Sequence, residues 1–151
     1  MKKAVFGAIL VLLLGVTSAA QAHDKKGVLA AMNMWKANLA VGTPDNPNKI
    51  LSLYADDAIL WGTISPKIRP NPALIRDYFV NAYKKLPQLT VEFKEPRVRV
   101  YGNVALNSGY YTFTYVKDGQ QKVLAARYSF ALAKRDGVWL ILDHHSSAMP
   151  K

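Results

Sequence analysis

The chain has 151 residues, no cysteine, and 20 basic against 10 acidic side chains, a formal net charge of +10. Without cysteine the fold must hold by packing rather than by disulfides, and this length supports one domain with a single core. The basic residues are scattered (Lys25-Lys26, Lys84-Lys85, Arg97 and Arg99, Lys134-Arg135) and form no basic helix face. No nucleic-acid partner is expected; the surplus reads as a solvated surface, with an acidic ligand or partner as the alternative.

The chain opens with MKKAVFGAILVLLLGVTSAAQA. Two lysines, an apolar run from Ala4 to Val16 and small residues ending Ala20-Gln21-Ala22 form the three-part pattern of a signal peptide cut after Ala22. The apolar run is shorter than the roughly 20 residues a permanent anchor needs, so no membrane anchor is expected and the product is read as periplasmic or secreted. Residues 1–22 are the leader and 23–151 a single domain. Without Lys2 and Lys3, 18 basic residues face 10 acidic ones, a net charge of +8.

Val28, Met32, Trp35 and Leu39 recur at helical spacing and predict an amphipathic helix from about Lys25 to Ala40. Asn46-Pro47 is a cap-plus-first-turn signal that predicts a short helix through Leu51, Leu53 and Tyr54. AILWGT reads as a brief strand, with Asp56 and Asp57 capping the loop before it. Asn71-Pro72 repeats the cap signal, and Ile75, Phe79, Ala82 and Leu86 predict a second long helix, stopped by Pro87.

The period then changes from 3.6 to 2. Four β-rich runs, 89–101, 104–117, 120–134 and 138–146, are separated by Gly102-Asn103, Asp118-Gly119 and Asp136-Gly137, each a tight-turn signal. Long strands joined this way form an antiparallel meander. The predicted class is α+β: N-terminal helices packed on a curved antiparallel sheet, a four-strand meander plus one short strand.

Pairing across the first two turns puts Val98, Val100, Ala105, Gly109, Tyr111, Phe113 and Tyr115 on one face with Leu124, Ala126, Tyr128, Phe130 and Leu132. This apolar face is expected against the helices. Arg97, Arg99, Tyr110, Thr112, Thr114, Arg127 and Ser129 face solvent or a second subunit. The last turn leaves two registers open. A two-residue loop sends Trp139, Ile141, Asp143 and His145 inward; a three-residue loop with a Gly bulge sends Leu140, Leu142, His144 and Ser146 inward instead.

The ending RDGVWLILDHHSSAMP, after AARYSFALAK, resembles the nuclear transport factor 2-like (SnoaL-like) superfamily. More narrowly it resembles the bacterial branch close to the association domain of calcium/calmodulin-dependent protein kinase II, whose members end in D-G-x-W, an apolar stretch, paired histidines, Ser and Pro. The helix order, the YADDAILWGT segment and the meander are similar over essentially the whole mature chain. The resemblance implies a cone-shaped α+β fold, a pocket between the concave sheet face and the helices, and a homodimer through the sheet. The superfamily includes cyclases, isomerases, dehydratases, and transport and assembly modules. In the kinase association domain three arginines hold a carboxylate, and their places fall here on Tyr111, Phe130 and Ser146. The resemblance puts positions 130 and 146 on one face, which selects the bulged register.

On that basis Tyr83, Tyr111, Phe113, Tyr128, Phe130, His144 and Ser146 are the expected lining of a pocket for a small apolar or aromatic ligand. His144 is the candidate general acid or base, with Tyr128, Tyr111 or Ser146 as hydrogen-bond partners and Tyr83 from the helix nearby; the alternative is a histidine satisfied at the end of a core strand. Arg127, Asp143 and His145 are expected on the outer face, with Arg127 and Asp143 as an ion pair ordering the sheet or a dimer interface. His144 and His145 point to opposite faces, so no metal site is expected from them, and no cofactor is implied. Two functions remain: an exported ligand-binding or assembly module, or a small cofactor-independent enzyme.

Overall fold

The predicted helical stripe is the seam on which the domain closes. Val28, Met32, Trp35 and Leu39 are all buried along one side of α1 (Phe6–Val41), which lies along the inner side of the sheet beside β3 and touches β6. The computed structural model describes residues 6–150, with the side chains of Ala22 and of residues 24–150. Its backbone carries α1 without a break from Phe6 across the segment expected above to be a leader. The start of that expected leader, residues 1–5, lies outside the described residues. Among the described residues no helix is long and apolar enough to cross a membrane.

After α1 come α2 (Asn48–Leu51), β1 (Tyr54–Trp61), β2 (Ile68–Arg69) and α3 (Pro72–Lys85), then β3 (Thr90–Tyr101), β4 (Val104–Lys117), β5 (Gln120–Arg135) and β6 (Val138–Ala148). The six strands form one curved, open sheet in the order β2-β1-β6-β5-β4-β3. The class is α+β, as expected. Two details differ: the short strand has a two-residue partner, β2, and β1 runs parallel to β6. Tyr54 belongs to β1 and not to the preceding helix. Asp56 and Asp57 are exposed on that strand instead of capping a loop, and Asp57 Oδ2 accepts a hydrogen bond from Arg135 at 2.8 Å.

Capping follows the sequence at α3. Asn71 accepts a hydrogen bond from the Leu74 amide at 3.0 Å, and Pro72 occupies the first helical position. Ile75, Phe79, Ala82 and Tyr83 form its buried face. The meander turns also follow the sequence, and Asp118, Gly119, Asp136 and Gly137 all take positive φ, as two-residue hairpin turns of this kind require.

The last strand resolves the open register in a way neither alternative anticipates. The Asp136-Gly137 loop has two residues, with Arg135 opposite Val138 and Leu132 opposite Ile141. The pairing then shifts, so that Ala131 faces Asp143, Phe130 faces His144 and Tyr128 faces Ser146. The extra residue is Leu142, a bulge in mid-strand rather than a Gly bulge at the turn. Trp139 and Ile141 therefore point inward before it, and His144 and Ser146 after it; all four are buried. Leu140 and Leu142, expected inward, are half-buried on the other side.

Deleting Leu142 removes the residue that has no partner on β5 and leaves Asp143 opposite Ala131 and His144 opposite Phe130 in an unbroken ladder. The deletion variant is therefore expected to keep a cooperative thermal transition by circular dichroism. Loss of that transition would contradict the assignment of the bulge.

Candidate functional site

His144 lies at the centre of a hydrogen-bonded chain drawn from four elements of the fold. The Trp35 indole of α1 donates to the Tyr54 hydroxyl of β1 at 3.1 Å. Tyr54 Oη lies 2.8 Å from His144 Nδ1, and His144 Nε2 lies 3.4 Å from Tyr111 Oη of β4. The Tyr111 hydroxyl donates to Ser146 Oγ, which contacts Thr63 Oγ1 in the loop after β1. An indole can only donate, so Tyr54 Oη accepts from Trp35 and keeps its own proton for His144 Nδ1; at the other end Tyr111 gives its proton to Ser146 Oγ and can accept from His144 Nε2. Tyr54 donates to Nδ1, so the proton of a neutral His144 sits on Nε2 and points to Tyr111.

The imidazole faces are covered as well. Phe130 stacks on it at a centroid distance of 4.1 Å, and Trp35 meets it edge-on at 5.5 Å. Burial drives its pKa down to about 3, with a smaller contribution from the neighbouring His145. The Tyr111 and Tyr54 hydroxyls are held well above the ordinary tyrosine value, again chiefly by burial. At neutral pH the network is uncharged throughout. Its histidine is oriented and satisfied, and is not poised to exchange protons.

The far end of the network borders a cavity between the sheet and α3. Thr63, Tyr111, His144 and Ser146 form its polar side; Leu39, Phe79, Phe113 and Leu124 are among its apolar walls. Its volume is about 20 Å³, room for a single water-sized guest.

The family model for the calcium/calmodulin dependent protein kinase II association domain matches residues 24–150. The chain belongs to that family. It is similar to a crystal structure from Xanthomonas campestris assigned to the same association-domain family, at 38% identity over 82% of this chain and 86% of that one, with a TM-score of 0.73. The fold is also that of the association domain of the C. elegans kinase (14% identity, 85% of this chain and 98% of that one, TM-score 0.67). A nuclear transport factor 2-like protein from Streptomyces avermitilis, described as a dehydratase, shares it too (12% identity, 87% of this chain and 99% of that one, TM-score 0.75). No curated protein matches the chain in sequence.

Within this association-domain fold, Tyr111, Phe113, His144 and Ser146 come together at the cavity. The other three expected pocket residues lie elsewhere. Tyr128 donates to Asn107 Oδ1 at 3.4 Å, and Phe130 lies beneath the His144 ring. Tyr83 packs against Gly42, where even a methyl group would collide with its hydroxyl. Of the partners expected for His144, Tyr111 makes contact; Tyr54 takes the other nitrogen and is itself held by Trp35. Tyr54 was hidden by its assignment to a helix, and Trp35 by a stripe that reads as core. Thr63 follows Gly62 directly, and that close-packed glycine was the available signal for it.

On the outer face the expected Arg127–Asp143 ion pair does not form. Arg127 sits opposite Ser147, and its Nε donates to Ser147 Oγ at 3.0 Å. Asp143 lies opposite Ala131, four residues from the position an ion pair needs, about 13 Å along a strand. Partial burial raises the Asp143 pKa while His145 lowers it. His145 is exposed beside Trp61, with ring centroids 6.4 Å apart.

The His144 pKa carries a stability prediction. The unfolded chain takes up a proton near the ordinary value of 6.5, whereas the folded chain resists until about 3. In that window the unfolded state binds more protons, so stability is full above 6.5 and falls as pH drops toward 3. Urea midpoints measured across this range should fall in the natural protein and fall less in His144→Gln. His144→Ala, which leaves a void and a Tyr54 hydroxyl proton without its acceptor, should cost roughly 3 kcal/mol or more at neutral pH.

Proposed function

We propose that this protein is an exported binding domain that takes a small apolar or aromatic ligand in the cavity between sheet and α3, rather than an enzyme using His144 as acid or base. The observation that carries this reading is the state of His144: fully enclosed, hydrogen-bonded on both nitrogens and held neutral by a pKa near 3. A general base is most effective with a pKa near the working pH. The cavity offers apolar walls and the hydroxyls of Thr63, Tyr111 and Ser146, a lining suited to an apolar ligand with one hydrogen-bonding group. At its present volume of about 20 Å³ a larger guest enters only as the walls part. Export is read from the leader pattern of residues 1–22.

A second feature supports self-association. The outer sheet face exposes Trp61, Tyr110 and Val123, large apolar groups of the kind an interface covers. In this reading a second copy of the chain covers that face, with Arg127, Asp143 and His145 near the contact.

Ala82 of α3 lines the cavity, and leucine there would fill it. Native mass spectrometry of the mature protein, followed by denaturation, is expected to release a small apolar molecule from the natural chain and none from Ala82→Leu. An empty natural protein across independent preparations would contradict the binding reading.

A further inference from the structure

The inner cavity shares a wall with a second, basic pocket. Ile64 and Tyr78 line both the cavity and a neighbouring pocket of about 290 Å³. That pocket carries Lys67, Arg69 and Lys85 with Ser65 and Asn81, and no acidic side chain lines it among the described residues. The nearest carboxylate to the guanidinium is Asp77, whose Oδ2 stands 3.6 Å from Arg69 Nη2; Asp77 also accepts a hydrogen bond from Asn81 at 2.9 Å. Ser65 Oγ accepts from Arg69 Nη2 at 3.3 Å. Arg69 Nε has no hydrogen-bond partner although it is buried, and the side chain as a whole is only 13% exposed. A buried donor left unpaired costs stability that an arriving acceptor returns, and guanidinium groups are suited to carboxylate and phosphate oxygens.

Tyr78 divides the two spaces through a close approach. Its ring lies over Gly62, where an added Cβ would come within 2.1 Å of a ring carbon. The phenol sits near the Thr63 and Ile64 amides and the Arg69 charge, which work against the burial that lifts its pKa to about 12. Tyr78 also meets Phe79 edge-on at 5.4 Å and packs against the core, so a tail reaches the inner cavity only if this ring rotates.

We propose that the two pockets are one site for an amphipathic anion: an acidic head group held by Arg69, Lys67 and Lys85, and an aliphatic tail that passes Tyr78 into the inner cavity. This rests on the ligand-binding reading above and adds the chemical class of the ligand. The net charge of +8 that residues 23–151 carry without Lys2 and Lys3 favours the approach of such a molecule. The shared chemistry is an anion on a tail; carboxylate and phosphate are separated by experiment.

Calorimetric titration with octanoate, octyl phosphate, octanol and acetate provides that experiment. At least one octyl anion should bind about tenfold or more tightly than octanol, and acetate should bind weakly, since a charged hydrogen bond contributes that much. The tighter of the two anions identifies the head group. Arg69→Gln should remove about tenfold in affinity for that anion, as should the double variant Lys67→Gln with Lys85→Gln. The two lysines are exposed, so that variant keeps the fold if Arg69→Gln does not. Octanol binding as tightly as the anions, or charge variants that bind them unchanged, would overturn the anionic subsite while leaving the apolar cavity intact. Failure of all three octyl probes to bind would overturn both readings.

Discussion

An imidazole can be buried at the floor of this fold only as a neutral ring with both nitrogens satisfied, and much of the structure serves that requirement. Protonated, His144 would carry a charge into a space enclosed by Trp35, Phe130 and Tyr54, at a cost of several kcal/mol. Neutral, it accepts from Tyr54 on one side and meets Tyr111 on the other. The donors come from elements far apart in sequence, so the network forms only when α1, β1, β4 and β6 are all in place. It acts as a cooperative polar latch at the junction of helix and sheet. The bulge at Leu142 is its precondition, because without it the strand would offer Asp143 and His145 to the core.

The sequence made the scaffold legible because its elements are governed by local rules. The α1 stripe, the Asn71-Pro72 cap and the three hairpin turns each depend on residues within a few positions of one another, and all appear where the pattern places them. The bulge was harder. LILDHH alternates plausibly in either register, and the deciding preference lies in the partners: Phe130 and Tyr128 on β5, and Tyr54 on a parallel neighbour some ninety residues earlier. The assumption that a register shift belongs at a turn led to the right inward residues, His144 and Ser146, through the wrong device. It also misplaced Arg127 relative to Asp143.

The site was legible in part for the same reason. Tyr111, Phe113, His144 and Ser146 lie on strands whose faces alternation can sort. Thr63, Ile64 and Tyr78 come from a loop and a helix packed over it, and only tertiary packing brings them to the cavity. The aromatic richness of the inner face pointed to an open pocket, whereas most of those rings fill the core against one another. What space remains lies toward α3 and the basic loop around Arg69. The domain thus combines an uncharged floor around His144 with a neighbouring pocket lined by Lys67, Arg69 and Lys85.

The state of His144 is the point on which this account turns, and nitrogen-15 NMR of the imidazole reads it directly. The account predicts an unprotonated Nδ1 and a protonated Nε2, with shifts that stay constant between pH 8 and pH 5, as a pKa near 3 requires. A ring that titrates close to its ordinary value of 6.5 would contradict it, and would return His144 to consideration as an acid-base group.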